Sequence, residues 1–152
     1  MTEHSHSQVS PAAPLTKEEL QRLYSAATAA SHLSYSPYSK FPVGAAILTR
    51  DGEVYSGTNV ENVSFGLTIC AERNAVAQMV AAGRRDIRAV VVYTPTVTPT
   101  TPCGACRQVL AEFGPTAAVH CFCDAPVEVG TSIDKLLPSA FTVGDLHRAT
   151  TP

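Results

Sequence analysis

Apolar residues first recur with a helical period just after residue 15. Leu20, Leu23, Tyr24, Ala27 and Ala30 follow one another at spacings that keep them on one face, which predicts a helix with a buried stripe. Thr16 and Glu19, three positions apart at its start, can close a capping box. The pattern then changes to strand-like runs at 43–49 and 53–59, joined by Asp51-Gly52, a strong hairpin signal. Helical spacing returns over 70–82 and stops at Gly83, a residue suited to closing a helix. Residues 89–93 are a short continuous apolar run, read as a buried strand. A Pro/Thr-rich loop covers 94–102, a third helix runs from Cys103 to Gly114, and strands are expected at 117–122 and 127–131, then a helical turn around Leu136. The order α-β-β-α-β-α-β-β predicts an α/β sheet with helices packed on it. Residues 1–14 are polar and rich in Pro and Ala, and are expected to form a disordered tail in which His4 and His6 are solvated. With a short tail at 148–152, this leaves 15–147 as one domain.

Composition changes that picture little but removes several functions. A chain of 152 residues, 45% hydrophobic and 16% charged, has the material for one core and is not a disordered chain. A net charge of -2 with scattered Lys and Arg argues against a nucleic-acid partner, which would need a phosphate-tracking surface. No apolar run is long enough to span a membrane, and the N-terminus lacks the charged and apolar regions of a secretory leader. The expected location is therefore the cytoplasm, with no membrane partner. Five cysteines in such a chain point to metal or catalysis before disulfides.

The chemistry concentrates in two segments, Cys70-Ala71-Glu72-Arg73 and Pro102-Cys103-Gly104-Ala105-Cys106-Arg107-Gln108, each opening a predicted helix. Cys103 and Cys106 share one face of a first helical turn, and Cys70 can supply a third sulfur. Three protein ligands leave one position of a tetrahedral zinc for water, which marks a catalytic site. A carboxylate beside the metal, not on it, can carry protons between water and leaving group; Glu72 is placed for that, as in the general arrangement described for zinc deaminases. Three thiolates on one Zn²⁺ leave a net negative centre that opposes ionisation of water. Two helix N-termini and Arg73, three residues after Cys70, are read as drawing charge off the sulfurs; Arg107 is a weaker candidate for the same task. A Cys-x-x-Cys redox pair, or a closed four-cysteine site using Cys121 or Cys123, also accounts for the cysteines. Neither accounts for Glu72 or for Pro102, and Cys121 and Cys123 alternate along a strand as core residues do.

At this point the sequence resembles the small homotetrameric zinc-dependent cytidine deaminases, from about residue 16 to residue 146. The resemblance is carried by Tyr35-Ser36-Pro37-Tyr38-Ser39-Lys40-Phe41-Pro42-Val43-Gly44-Ala45-Ala46, by Asn59-Val60-Glu61-Asn62, by the two cysteine segments and by Leu136-Leu137-Pro138-Ser139-Ala140-Phe141. It implies a three-layer α/β/α fold with a five-stranded mixed sheet, one Zn²⁺ per chain on Cys70, Cys103 and Cys106, and hydrolysis of cytidine and 2′-deoxycytidine to uridine and 2′-deoxyuridine with release of ammonia, a step of pyrimidine salvage. It also implies a substrate map: Phe41 against the pyrimidine, Asn59 and Glu61 on the ribose with Glu61 at the 3′-hydroxyl, the Ala71 backbone on the base edge, and Phe141 reaching a neighbouring subunit's pocket in a homotetramer. The residues alone read more plainly, with Phe41 as core and Asn59-Val60-Glu61-Asn62 as a surface turn. One departure is visible, since Phe65 stands where the family often has tyrosine. The nearest rival is a relative acting on another aminopyrimidine or on a nucleobase-containing antibiotic such as blasticidin, and, from a different class, a zinc-binding interaction module. A nucleotide substrate is disfavoured because Glu61 would repel its phosphate.

Overall fold

The first helix, α1 (Lys17–Ser31), begins at the expected capping box: the Thr16 hydroxyl accepts from the Glu19 N–H, and the Glu19 carboxylate accepts from the Thr16 N–H. This computed structural model describes residues 14–148. Residues 1–13 and 149–152, which hold nearly all of both expected tails together with His4 and His6, lie outside the described residues. After α1 come β1 (Gly44–Thr49), β2 (Val54–Thr58), α2 (Ala71–Ala81), β3 (Ile87–Tyr93), α3 (Gly104–Phe113), β4 (Ala118–Phe122), β5 (Glu128–Ser132), α4 (Ile133–Leu136) and α5 (Val143–Arg148). Every element predicted from the pattern is present, with ends shifted by no more than two residues. Two were not predicted: a 3-10 turn at Phe65–Leu67, and α5.

The five strands form one sheet in the order β2-β1-β3-β4-β5. β1 pairs antiparallel with β2 and β3, β4 pairs antiparallel with β5, and β3 runs parallel to β4. A parallel pair cannot be joined by a tight turn, and α3 makes the crossover. Alternation along the strands divides the core. Ile47, Val90, Val92, Val119 and Cys121 face Met79 of α2 and Leu110 of α3. Ala46, Leu48, Ala89 and Val91 face Leu23 and Ala27 of α1. The result is the expected three-layer α/β/α architecture. Truncating a side chain such as Met79 or Leu110 to alanine costs about 2–5 kcal/mol at sites of this kind.

Two glycines set the distance between layers. A Cβ on Gly44 would collide with the Ala27 carbonyl of α1, and one on Gly57 with the Ala71 carbonyl and Ala75 nitrogen of α2. The second contact matters for function. It lets the first turn of α2, which carries Glu72, lie directly on β2.

Candidate active site

Two helices start side by side on the α2/α3 face of the sheet, and each is capped by a cysteine. Cys70 is the N-cap of α2 and Cys103 the N-cap of α3, and neither side chain caps its own helix. Their sulfurs are therefore free to point at each other, 3.9 Å apart. Cys106, in the first turn of α3, completes a set in which all three sulfurs lie within 4.8 Å of one another. Among the described residues this is the one cluster of three or more potential metal-ligating side chains. Sulfurs held about 2.3 Å from a tetrahedral zinc sit about 3.8 Å apart, so the Cys70–Cys103 spacing fits that ion as it stands. Cys121 and Cys123 are buried elsewhere and are not part of the cluster, so no four-cysteine site forms.

The electrostatics of the three sulfurs are uneven. Cys106 donates into the Cys70 sulfur, and Arg73 and Cys103 add to this against the effect of burial, bringing the Cys70 thiol down to about 5. Cys106 is pushed up by its bond to Cys70 and by burial. Both helix N-termini also favour negative charge here. Arg73 lies where its spacing predicted: Nη2 is 3.8 Å from the Cys70 sulfur and donates to the Thr68 carbonyl at 2.9 Å. Arg107 does not. Its guanidinium donates to Pro102 O, Leu136 O and Thr101 Oγ1, so this weaker candidate holds loop segments instead of the sulfurs.

Glu72, the second residue of α2, is 4% exposed. Burial raises its pKa above the usual carboxylate range, and the neighbouring Cys70 adds to the rise. A carboxyl whose pKa is raised by burial beside the sulfurs is a better proton acceptor when ionised and can return the proton once it has taken it up.

Of these groups Cys70, Glu72 and Cys103 line the inner end of a cavity of about 340 Å³, with Cys106 and Arg73 behind them. Its walls include Phe41, Val43, Asn59 and Glu61 on one side, Thr68, Cys70, Ala71 and Glu72 on a second, and Val92, Thr100, Thr101 and Cys103 on a third. A larger hollow of about 750 Å³ lies between α1 and the turn after β4. It contains no such sulfur cluster, so chemistry and not volume picks the site.

The sequence of this arrangement matches the family model described as "Cytidine and deoxycytidylate deaminase zinc-binding region" over residues 17–123. The chain belongs to this family. It is 44% identical over 135 residues to a cytidine deaminase of Halalkalibacterium halodurans, covering 84% of this chain and 97% of that one. The crystal structure of a cytidine deaminase from Burkholderia pseudomallei superposes with a TM-score of 0.77 at 46% identity, covering 84% of this chain and all of that one. A blasticidin-S deaminase of Bacillus cereus is more distant, at 31% identity over 112 residues, 68% of this chain and 79% of that one. The protein is thus a zinc-dependent deaminase with a three-cysteine group able to hold the ion.

Of the residues the sequence singled out, the deaminase cavity gathers Cys70, Ala71, Glu72, Cys103, Phe41, Asn59 and Glu61. Asn59 is more occupied than its expected sugar contact suggests. Its oxygen accepts from Ser34 Oγ at 2.5 Å and Val43 N at 2.8 Å, and its nitrogen donates to Phe41 O at 2.9 Å. Glu61 accepts from the Tyr38 and Ser39 amides at 2.9 and 3.3 Å. The Ser39 hydroxyl, these amides and Lys40 together hold its carboxyl below the usual range. Both residues thus shape the loop that presents Phe41. Phe141 stands apart: it is 60% exposed and does not line its own chain's cavity. The hydroxyl residues Ser39, Thr68, Thr100 and Thr101 line the cavity and were not anticipated. Thr100 and Thr101 sit in a run of Thr and Pro that reads only as loop, and their one available signal was adjacency to Pro102-Cys103.

Proposed function

We propose that this protein hydrolyses cytidine and 2′-deoxycytidine to uridine and 2′-deoxyuridine with release of ammonia, in pyrimidine salvage. One observation carries the reading: two of three sulfurs that lie within 4.8 Å of one another line a cavity together with the buried Glu72, and its other walls offer a ring, an amide and a carboxylate. Cys70, Cys103 and Cys106 would hold one Zn²⁺. When bound, that ion supplies Lewis acidity and lets water act as a nucleophile at neutral pH.

The remaining work falls to this chain's side chains. Glu72 takes a proton from the attacking water and passes one to the departing amino group, so a single carboxyl serves both transfers. Arg73 draws charge from the Cys70 sulfur. The Ala71 main chain, in the first turn of α2, faces the base edge, and Phe41 packs on the flat face of the pyrimidine. Asn59, with one amide hydrogen still unassigned after its bond to Phe41 O, and Glu61 hold the ribose, Glu61 at the 3′-hydroxyl. The ionised Glu61 disfavours a phosphate beside the sugar.

The working form is a homotetramer with shared sites, in which Phe141 enters a neighbouring chain's cavity. Supporting this, Phe141 is exposed, and so are Leu33, Val63, Phe65 and Leu67, each at least 66%. Apolar side chains exposed in such number mark an interaction surface. The unit that assembles is residues 15–147, and the compartment is the cytoplasm.

Following loss of the cytidine absorbance band with cytidine, deoxycytidine, cytidine monophosphate and blasticidin tests the proposal. Turnover of the first two, and not the others, is expected. Zinc-loaded protein that converts neither nucleoside would overturn it.

A further inference from the structure

Arg107 follows Cys106 directly, yet the structure turns its guanidinium to two other segments. Nε donates to Pro102 O at 2.7 Å and Nη2 to Thr101 Oγ1 at 3.1 Å, while Nη1 donates to Leu136 O at 3.0 Å. Pro102 is bonded to Cys103, and Thr101 lines the cavity. Leu136 is the last residue of α4, so its carbonyl is one that a helix end leaves without an intrahelical partner. The next residue of α3, Gln108, donates Nε2 to the carbonyl of Phe141 at 2.9 Å. Two adjacent residues of the helix that begins at Cys103 therefore hold the return segment at both ends, from Leu136 to Phe141. One of them also holds the turn that enters Cys103.

We propose that Arg107 is a positioning residue that fixes the Thr101-Pro102-Cys103 turn and ties it to the segment carrying Phe141. The sulfur cluster and the arm that presents Phe141 are then set by a single guanidinium. A planar fork with five donors can bridge three acceptors in fixed directions, and a lysine ammonium on a flexible stem cannot. The inference rests on the proposed reading of Cys103 as a zinc ligand and of Phe141 as a residue that covers a pocket.

The test compares the zinc-loaded wild-type chain with Arg107→Lys and Gln108→Glu. It measures zinc content, the rate of zinc release to a chelator, and amide hydrogen exchange by segment. Arg107→Lys should release zinc about tenfold faster or more, the usual scale for losing a group that orients a ligand. Its exchange should rise over 100–106 and 136–142, with β1 and β3 unchanged. Gln108→Glu keeps the shape but lacks the donor; it should raise exchange over 139–142 alone and leave zinc release unaltered. Wild-type release and exchange in Arg107→Lys overturn the proposal, and so does a rise spread evenly across the sheet, which would mark general destabilisation. If Arg107→Lys does not fold, Thr101→Val removes one leg of the clamp. Faster release with exchange raised at 100–106 then supports the proposal, and wild-type release overturns it. A wild-type chain that takes up no zinc would remove the reading of the site itself, and this inference with it; zinc-loaded wild type with an indifferent Arg107→Lys removes only the inference.

Discussion

The inner end of the cavity and its mouth are built to opposite rules. At the inner end Glu72 and Cys106 are buried, and Arg73 holds both a sulfur and a main-chain carbonyl. At the mouth the Phe41 ring is 36% exposed, and outside the cavity lining Phe65, packed edge-on against Tyr38, is 72% exposed. Burial of Glu72 and Cys106 strengthens the charge interactions around them, although Cys103 is exposed; at the mouth Asn59 is buried while the Phe41 ring meets solvent. The difference teaches that, on the proposed reading, one chain holds the groups for proton transfer and leaves the substrate's far side to another surface. Enclosure calls for another surface, and the exposed Phe141 fits that need.

The largest effect should come from the inner end. Cys103→Ala should lose zinc and all measurable turnover, and should melt earlier, because metal affinity is coupled to folding. Cys121→Ser, a change in the core outside the sulfur cluster, should keep its zinc. Metal analysis of the two purified proteins checks both, and full occupancy in Cys103→Ala would break the distinction at its root.

Next in size is Glu72→Gln. It should retain zinc and bind a substrate analogue while kcat falls at least ~10²-fold, the ordinary contribution of one positioned acid–base group. Near-normal turnover would show that the buried carboxyl is structural.

A smaller effect is expected at the mouth. In Glu61→Gln, kcat/KM for cytidine should drop by about tenfold, since a charge-assisted hydrogen bond becomes neutral. Because the same carboxylate accepts from the Tyr38 and Ser39 amides, part of that loss should appear as greater exchange at those amides. An unaltered kcat/KM would detach Glu61 from the substrate and leave it as a brace for the loop.

The two ends also differed in how far the sequence revealed them. The inner end is local: Cys70 and Arg73 are three residues apart, as are Cys103 and Cys106, so spacing alone brings each pair to one side of its helix, and Glu72 lies between the first two in the chain. What spacing could not show is where Arg107 points, because two of its three acceptors are main-chain carbonyls, one of them on the distant Leu136. The mouth depends on long-range contacts. Asn59 reaches back to Ser34, Phe41 and Val43, and no periodicity encodes such bonds. The fold was legible where strands alternate and helices carry a buried stripe. α5 was missed because it is six residues long and leaves Val143 and Leu146 half exposed. Its readable trace was the Thr142–Asp145 pair, which bonds at its start at the same spacing as Thr16–Glu19.

The comparison between the two ends is tested most directly by mixing two defective chains. Glu72→Ala lacks the proton carrier of the inner end, and Phe141→Ala lacks the residue assigned to a neighbour's mouth. Sizing first establishes that each variant is folded and that the co-expressed chains form mixed oligomers. If sites are shared, some cavities in the mixture combine an intact Glu72 with a neighbour's intact Phe141. Activity per Glu72-bearing chain should then exceed that of Phe141→Ala alone. Activity that only falls in proportion to dilution, in oligomers proven to be mixed, would contradict the account and return Phe141 to its own chain.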